Sequence, residues 1–176
     1  MKRIASLLGG VVLVLAIVPS TFAAAPQPTQ SIVQIATANG NFTTLLAAVG
    51  CANPAVGKAL TSGQQLTVFA PTDAAFAKLG LTKSNVCTAL PQAKLTKILL
   101  YHVVAGDQYA KDVLPAAWGQ INALKTLLGQ PLWAIHNGTL FTTAGSTARI
   151  DIADKLFNIA ATNGVIHVIT SVLLPA

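Results

Sequence analysis

The chain has 176 residues, which leaves room for one domain or at most two small ones. Hydrophobic residues make up 53% and charged residues 9%, far too apolar and too weakly charged for a disordered chain and enough to bury a core. The formal charge is +6, the five acidic residues are all Asp, and there are two Cys, which narrows acid–base chemistry and excludes a cysteine-dense scaffold or a thiolate zinc site built from one chain.

In chain order, residues 1–23 read as a secretory signal: Lys2 and Arg3 precede an apolar run at residues 4–18, and the small residues Ala23, Ala24 and Ala25 follow Pro19 and Ser20. The run is 15 residues long, short of the roughly 20 that span a bilayer. Residues 24–30 form a flexible leader, and residues 31–176 a single domain that is expected to be exported, secreted or held in a bacterial periplasm or envelope, with no stable membrane insertion after cleavage. Without Lys2 and Arg3 the charge falls to about +4, with nine Lys/Arg spread along the chain against five Asp. A nucleic-acid site wants clustered basic residues interleaved with aromatics, so no nucleic-acid partner is expected. In an oxidising compartment Cys51 and Cys87 most simply form one disulfide.

Ser31 is a helix N-cap ahead of Ile32, Val33, Ile35 and Ala36, and Asn39-Gly40 is a stop. Phe42, Leu45, Leu46 and Val49 repeat at helical spacing, and Asn53-Pro54 starts a third helix through Val56 and Leu60. A strand follows over residues 66–70, closed by Pro71; Thr72 then caps a helix whose first turn holds Asp73 to complement the dipole. Residues 81–90 read as short turns, and Pro91 opens a helix presenting Leu95, Ile98, Leu99 and His102 before Val103-Val104-Ala105-Gly106. The second half reads as β structure. Asn137-Gly138 predicts a two-residue hairpin turn pairing His136 with Thr139, Ile135 with Leu140, Ala134 with Phe141 and Trp133 with Thr142. That register puts Trp133, Ile135 and Leu140 on one face, so Trp133 is expected in the core. Residues 148–152 alternate weakly, and residues 164–174 suggest a buried strand pair. Helices first and strands later predict an α+β architecture without regular βαβ alternation.

Leu66-Thr67-Val68-Phe69-Ala70-Pro71-Thr72-Asp73-Ala74-Ala75-Phe76 resembles the first signature of fasciclin-type domains, and Asn163-Gly164-Val165-Ile166-His167-Val168-Ile169 with Val172-Leu173-Leu174-Pro175 resembles the second. Between them, Leu99-Leu100-Tyr101-His102-Val103-Val104 resembles that family's central Tyr-His segment. The resemblance implies a wedge-shaped β-sandwich with helices packed along it, in a secreted or surface protein that mediates extracellular contacts. It also implies a recognition role for the Tyr-His segment, as attributed to animal members with integrins. Thr170 stands where the second signature commonly carries Asp, which removes any acid-dependent contact there.

Tyr101, His102 and Trp118 are the candidate contacts for a partner or ligand. The apolar neighbours of Tyr101 and His102 predict burial, with the ring nitrogens satisfied inside the fold, and His167 between Ile166 and Val168 reads the same way. His136 beside the turn is expected to be exposed and solvated. His102, His136 and His167 have no local ligand spacing, so no metal is expected; no cofactor is expected either. No Gly-x-Ser-x-Gly elbow occurs, and Gly50 to Lys58 has the wrong spacing for a phosphate loop and is followed by Ala59 instead of a hydroxyl. Asn41 and Asn137 begin glycosylation sequons, the second better explained as turn chemistry. Trp118, flanked by Pro115, Gly119 and Gln120, is the surface aromatic able to stack on a sugar. The expectation is a monomeric, non-catalytic adhesion module for an extracellular protein or glycan; the alternative is a carrier of a small apolar ligand between sheet and helices, contacted by Tyr101 or His102.

Overall fold

The computed structural model describes residues 27–154 and 156–176; the signal segment lies outside them. Helix α1 (Ile32–Asn39) begins at a capping box, in which the Ser31 side chain accepts from Gln34 N–H and the Gln34 side chain accepts from Ser31 N–H. It ends on Gly40 in the left-handed region. Helices α2 (Thr43–Cys51) and α3 (Pro54–Thr61) follow, then strand β1 (Leu66–Pro71) and helix α4 (Asp73–Ala77), capped by Thr72. The turns expected after Leu81 contain a short helix, α5 (Val86–Ala89), before α6 (Gln92–Tyr101) and β2 (Val103–Ala105). Helix α7 (Ala110–Val113) and strand β3 (Ile121–Lys125) were not legible in the sequence; β4 (Pro131–Ile135), β5 (Thr139–Thr142), β6 (Thr147–Arg149), β7 (Ile159–Ala161) and β8 (Gly164–Ile169) complete the order.

The strands form two four-stranded sheets, β2-β1-β8-β7 and β3-β4-β5-β6. The first is mixed, with β1 and β8 running parallel from Leu66↔Gly164 to Pro71↔Ile169; the second is an antiparallel meander. Successive side chains of β1 and β8 alternate between two cores. Leu66, Val68, Ala70, Ile166 and Val168 pack under the N-terminal helices with Ile32, Phe42, Leu45 and Leu60. Phe69 and Ile169 point the other way, against Leu124, Leu132, Ala134 and Leu140 of the second sheet. The result is three layers, helices on sheet on sheet, and every residue of β1 and β8 is buried. The α+β sandwich with mainly N-terminal helices is thus the observed fold.

Two expectations need correction. Residues 164–174 do not form a strand pair: β8 ends at Ile169, its neighbours are β1 and β7, and Val172 and Leu173 lie in a buried tail. The hairpin register is also different, with Leu132↔Thr142, Trp133↔Phe141 and Ala134↔Leu140. The loop holds three residues, His136-Asn137-Gly138, with Gly138 at φ 82° and its N–H donated to Ile135 O. Asn-Gly suits the end of such a loop as well as a two-residue turn, and one extra loop residue shifts the pairing by one, which exchanges the faces of β4 relative to β5. Trp133 therefore sits on the outer face, stacked on Phe141 at 6.4 Å, while Leu132, Ala134 and Leu140 fill the core.

Cys51 at the end of α2 is disulfide-bonded to Cys87 in α5, tying the helical layer to the segment that links β1 and β2. Asp73 does more than complement its own helix. Its carboxylate accepts from Thr43 N–H, the Thr43 hydroxyl and Thr44 N–H, so it caps α2, an element thirty residues earlier in the chain. Desolvation pushes its pKa up, but those hydrogen bonds outweigh it and the net shift is downward.

Candidate functional site

Tyr101 is the last residue of α6 and His102 its C-cap, with relative exposures of 0% and 2%. The Tyr101 hydroxyl donates to Pro131 O at 2.7 Å, fastening α6 to the start of β4, and burial pushes its pKa up to about 12. His102 Nδ1–H donates to Ile98 O at 2.7 Å, and Nε2 accepts from Leu173 N–H at 3.0 Å. Its carbonyl also accepts from Phe69 N–H in β1. One residue thus joins the helix, the first sheet and the C-terminal tail, as a neutral imidazole with both nitrogens used. Desolvation lowers its pKa to about 4 against the counter-pull of the Ile98 carbonyl. Both side chains are enclosed, as their apolar neighbours predict, and neither presents its polar atoms to solvent.

His167, fully buried on β8, stacks on Phe69 at 5.6 Å. Its Nε2–H donates to Gln108 O and its Nδ1 accepts from Asn158 N–H, clasping two loops; burial lowers its pKa. His136 departs from expectation. It is half-buried, its Nδ1–H donates to Pro115 O at 3.0 Å, and its ring lies 5.1 Å from that of Trp118. Among the described residues no group of three or more His, Cys, Asp or Glu side chains is arranged to hold a metal ion, and no helix is long and apolar enough to cross a membrane.

Between α1–α3 and the first sheet lies an apolar cavity of about 60 Å³, which His102 lines and Tyr101 does not. That is less than half the roughly 150 Å³ that admits benzene in an engineered cavity, and both His102 nitrogens are already engaged. The geometry gives the carrier alternative little room.

The open surface is elsewhere. Trp118 is 80% exposed and Ile121 58%. Ile121 pairs with Ile135 across β3 and β4, and Ala123 with Trp133, so the outer face of the second sheet carries an apolar stripe, exposed at Ile121 and Ala123 and half-buried at Ile135, Trp133 and Phe141. Sequence reasoning found Trp118 but missed the stripe, because the predicted register turned Trp133 inward and β3 was not recognised. Thr170, in place of the acid common in the second signature, uses its hydroxyl to accept from Arg149 N–H in β6.

A mixed sheet clamped between helices and an antiparallel sheet defines an α+β sandwich domain. The fasciclin domain model matches residues 40–175, and the chain belongs to the fasciclin domain family. It is 36% identical over 154 residues to Protein sll1483 of Synechocystis sp., covering 86% of this chain and 77% of that protein. It is 35% identical over 141 residues to Immunogenic protein MPB70 of Mycobacterium bovis, covering 78% of this chain and 65% of that one. Among solved structures, a FAS1 domain pair from the insect cell adhesion molecule Fasciclin I matches 77% of this chain with a TM-score of 0.55 and 19% identity, a likeness of fold. The match spans 46% of that two-domain chain.

Proposed function

We propose that the protein is a non-catalytic, exported interaction or adhesion module that recognises an extracellular protein or polysaccharide through the outer face of its second sheet. The observation that carries this reading is the contrast in exposure between Trp118 at 80% and the Tyr101-His102 pair at 0% and 2%. Tyr101 and His102 serve to hold the fold, whereas Trp118 and the neighbouring Ile121 are left exposed; contiguous exposed apolar surface marks interaction sites. Membership in the fasciclin family supports the same reading, as does the origin of the solved domain pair in a cell adhesion molecule. The signal-like residues 1–23 support export.

The test is adhesion of protein-coated beads to cells and matrix from the organism's own growth environment. Wild-type beads are expected to adhere, and substitutions at Trp118 and Trp133 to abolish adhesion while the melting temperature stays in place. Beads that never adhere, or that adhere equally well after both substitutions, would overturn the assignment.

A further inference from the structure

Residues 118–121 and 135–137 surround a shallow hollow of about 230 Å³ at the edge of this outer face. We propose that it is a subsite for one neutral sugar residue of a polysaccharide, with Trp118 as the stacking platform; this rests on the interaction reading above and names its ligand class.

The polar groups around the hollow are set by their other hydrogen bonds. Because His136 Nδ1–H is donated to Pro115 O, Nε2 is the ring nitrogen left for a ligand. Because Asn137 Oδ1 accepts from Thr139 N–H, its amide Nδ2–H₂ remains as a donor. Neither atom has another partner among the described residues, and the Gln120 side-chain amide is likewise free to donate and accept. A sugar hydroxyl both donates and accepts, so it satisfies such a mixed rim. No Lys, Arg, Asp or Glu lines the hollow, which gives a carboxylated or sulfated sugar no counter-charge.

The apolar side of the site fits the same ligand. A pyranose ring presents a flat face of C–H groups, and the indole of Trp118 presents a flat apolar face to receive it. The indole lies 5.1 Å from the His136 ring, tilted by 46°, and that ring is itself hydrogen-bonded to Pro115. Trp118 stands 80% exposed over a shallow depression, where a flat ring can lie against the indole. Trp133, two residues from Ile135 on the same face and stacked on Phe141, is a second platform, so affinity should rise with the length of an oligosaccharide.

The experiment is electrophoresis of the purified protein, expressed from its full sequence, through native gels containing laminarin, xyloglucan, galactomannan or dextran, with alginate as the anionic comparison. Retardation is expected in at least one neutral gel, undiminished by added salt. Trp118→Ala should weaken it about tenfold, the size of one lost ring stack, and Trp118→Tyr should restore part of it. Retardation in no neutral gel, retardation that Trp118→Ala leaves unchanged, or retention in alginate alone that salt removes would each overturn the sugar assignment. If no polysaccharide binds while Trp118→Ala still abolishes bead adhesion, a protein occupies this face, and the interaction reading survives its ligand assignment. If wild-type beads fail to adhere, that reading itself falls.

Discussion

The two sheets of the sandwich differ in how much of them water touches. β1 and β8 lie at the centre of the first sheet with helices on one side and the second sheet on the other, and all their residues are buried. They read as continuous apolar runs, as strands covered on both faces do. β4 and β5 alternate between buried and half-buried residues, because one face of the second sheet meets the core and the other meets solvent. The family signatures fall on the first sheet and its neighbours, where packing constrains every position. The candidate recognition surface falls on the second, where it does not. A long recognisable motif here marks the part of the molecule that keeps it folded, and the proposed recognition surface lies outside it.

The largest effect that would break this contrast is at Gly164. Its φ is +144°, and a Cβ there would lie 1.8 Å from Leu66 O and 2.8 Å from Leu66 C, at the first pair of the parallel register. Gly164→Ala is expected to cost at least about 4 kcal/mol and leave little folded protein, measured by circular dichroism during denaturation. A variant melting within a few degrees of wild type would mean that the first sheet is looser than described.

Next comes the disulfide. Replacing Cys51 and Cys87 with Ser should lower stability by about 3–4 kcal/mol on the chain-entropy estimate for a 36-residue separation. Urea titration of the double variant checks it, and an unchanged midpoint would show that the helical layer does not depend on the bond.

The third effect is a pH dependence. His102 is neutral in the fold with its pKa lowered from 6.5 to about 4, so between those values the unfolded chain binds the extra proton. Stability is therefore fully present above pH 6.5 and is lost as pH falls toward 4, by on the order of 3 kcal/mol. The lowered pKa of His167 acts in the same direction. His102→Gln should lower the melting temperature at neutral pH and flatten the acid slope; an unaltered slope would place the titration elsewhere.

The smallest effect sharpens the comparison from the open side. Trp118→Ala should change stability by no more than about 0.5 kcal/mol, since the ring is 80% exposed. A large loss in thermal melting would make Trp118 a structural residue and remove the distinction between the two sheets.

Much of the fold was legible because its signals are local. Ser31, Asn39-Gly40, Asn53-Pro54 and Thr72 mark helix ends through hydrogen bonds to groups within a turn, and the helices begin or stop where those residues stand. The burial of Tyr101 and His102 was legible from their apolar neighbours. Strand β3 was not, since Ile121 is exposed and only Leu124 of its five residues is buried, leaving no strong alternation. Trp118 was recognisable as a surface residue from its flanking Pro and Gly, but its pairing with His136 depends on a hydrogen bond to Pro115, 21 residues away.

The order of residues alone determined where α1, α3 and α4 begin, which cysteines pair and that the Tyr101-His102 segment must be inside, because capping, oxidation and burial act on residue type. Tertiary structure decided what faces what. The parallel match of β1 to β8, the use of Asp73 to cap α2 and the three-residue loop that turned Trp133 outward all depend on contacts between distant segments. A strand's side chains alternate with period two, so a change of one residue in a loop leaves the local pattern almost the same and exchanges the core face for the solvent face.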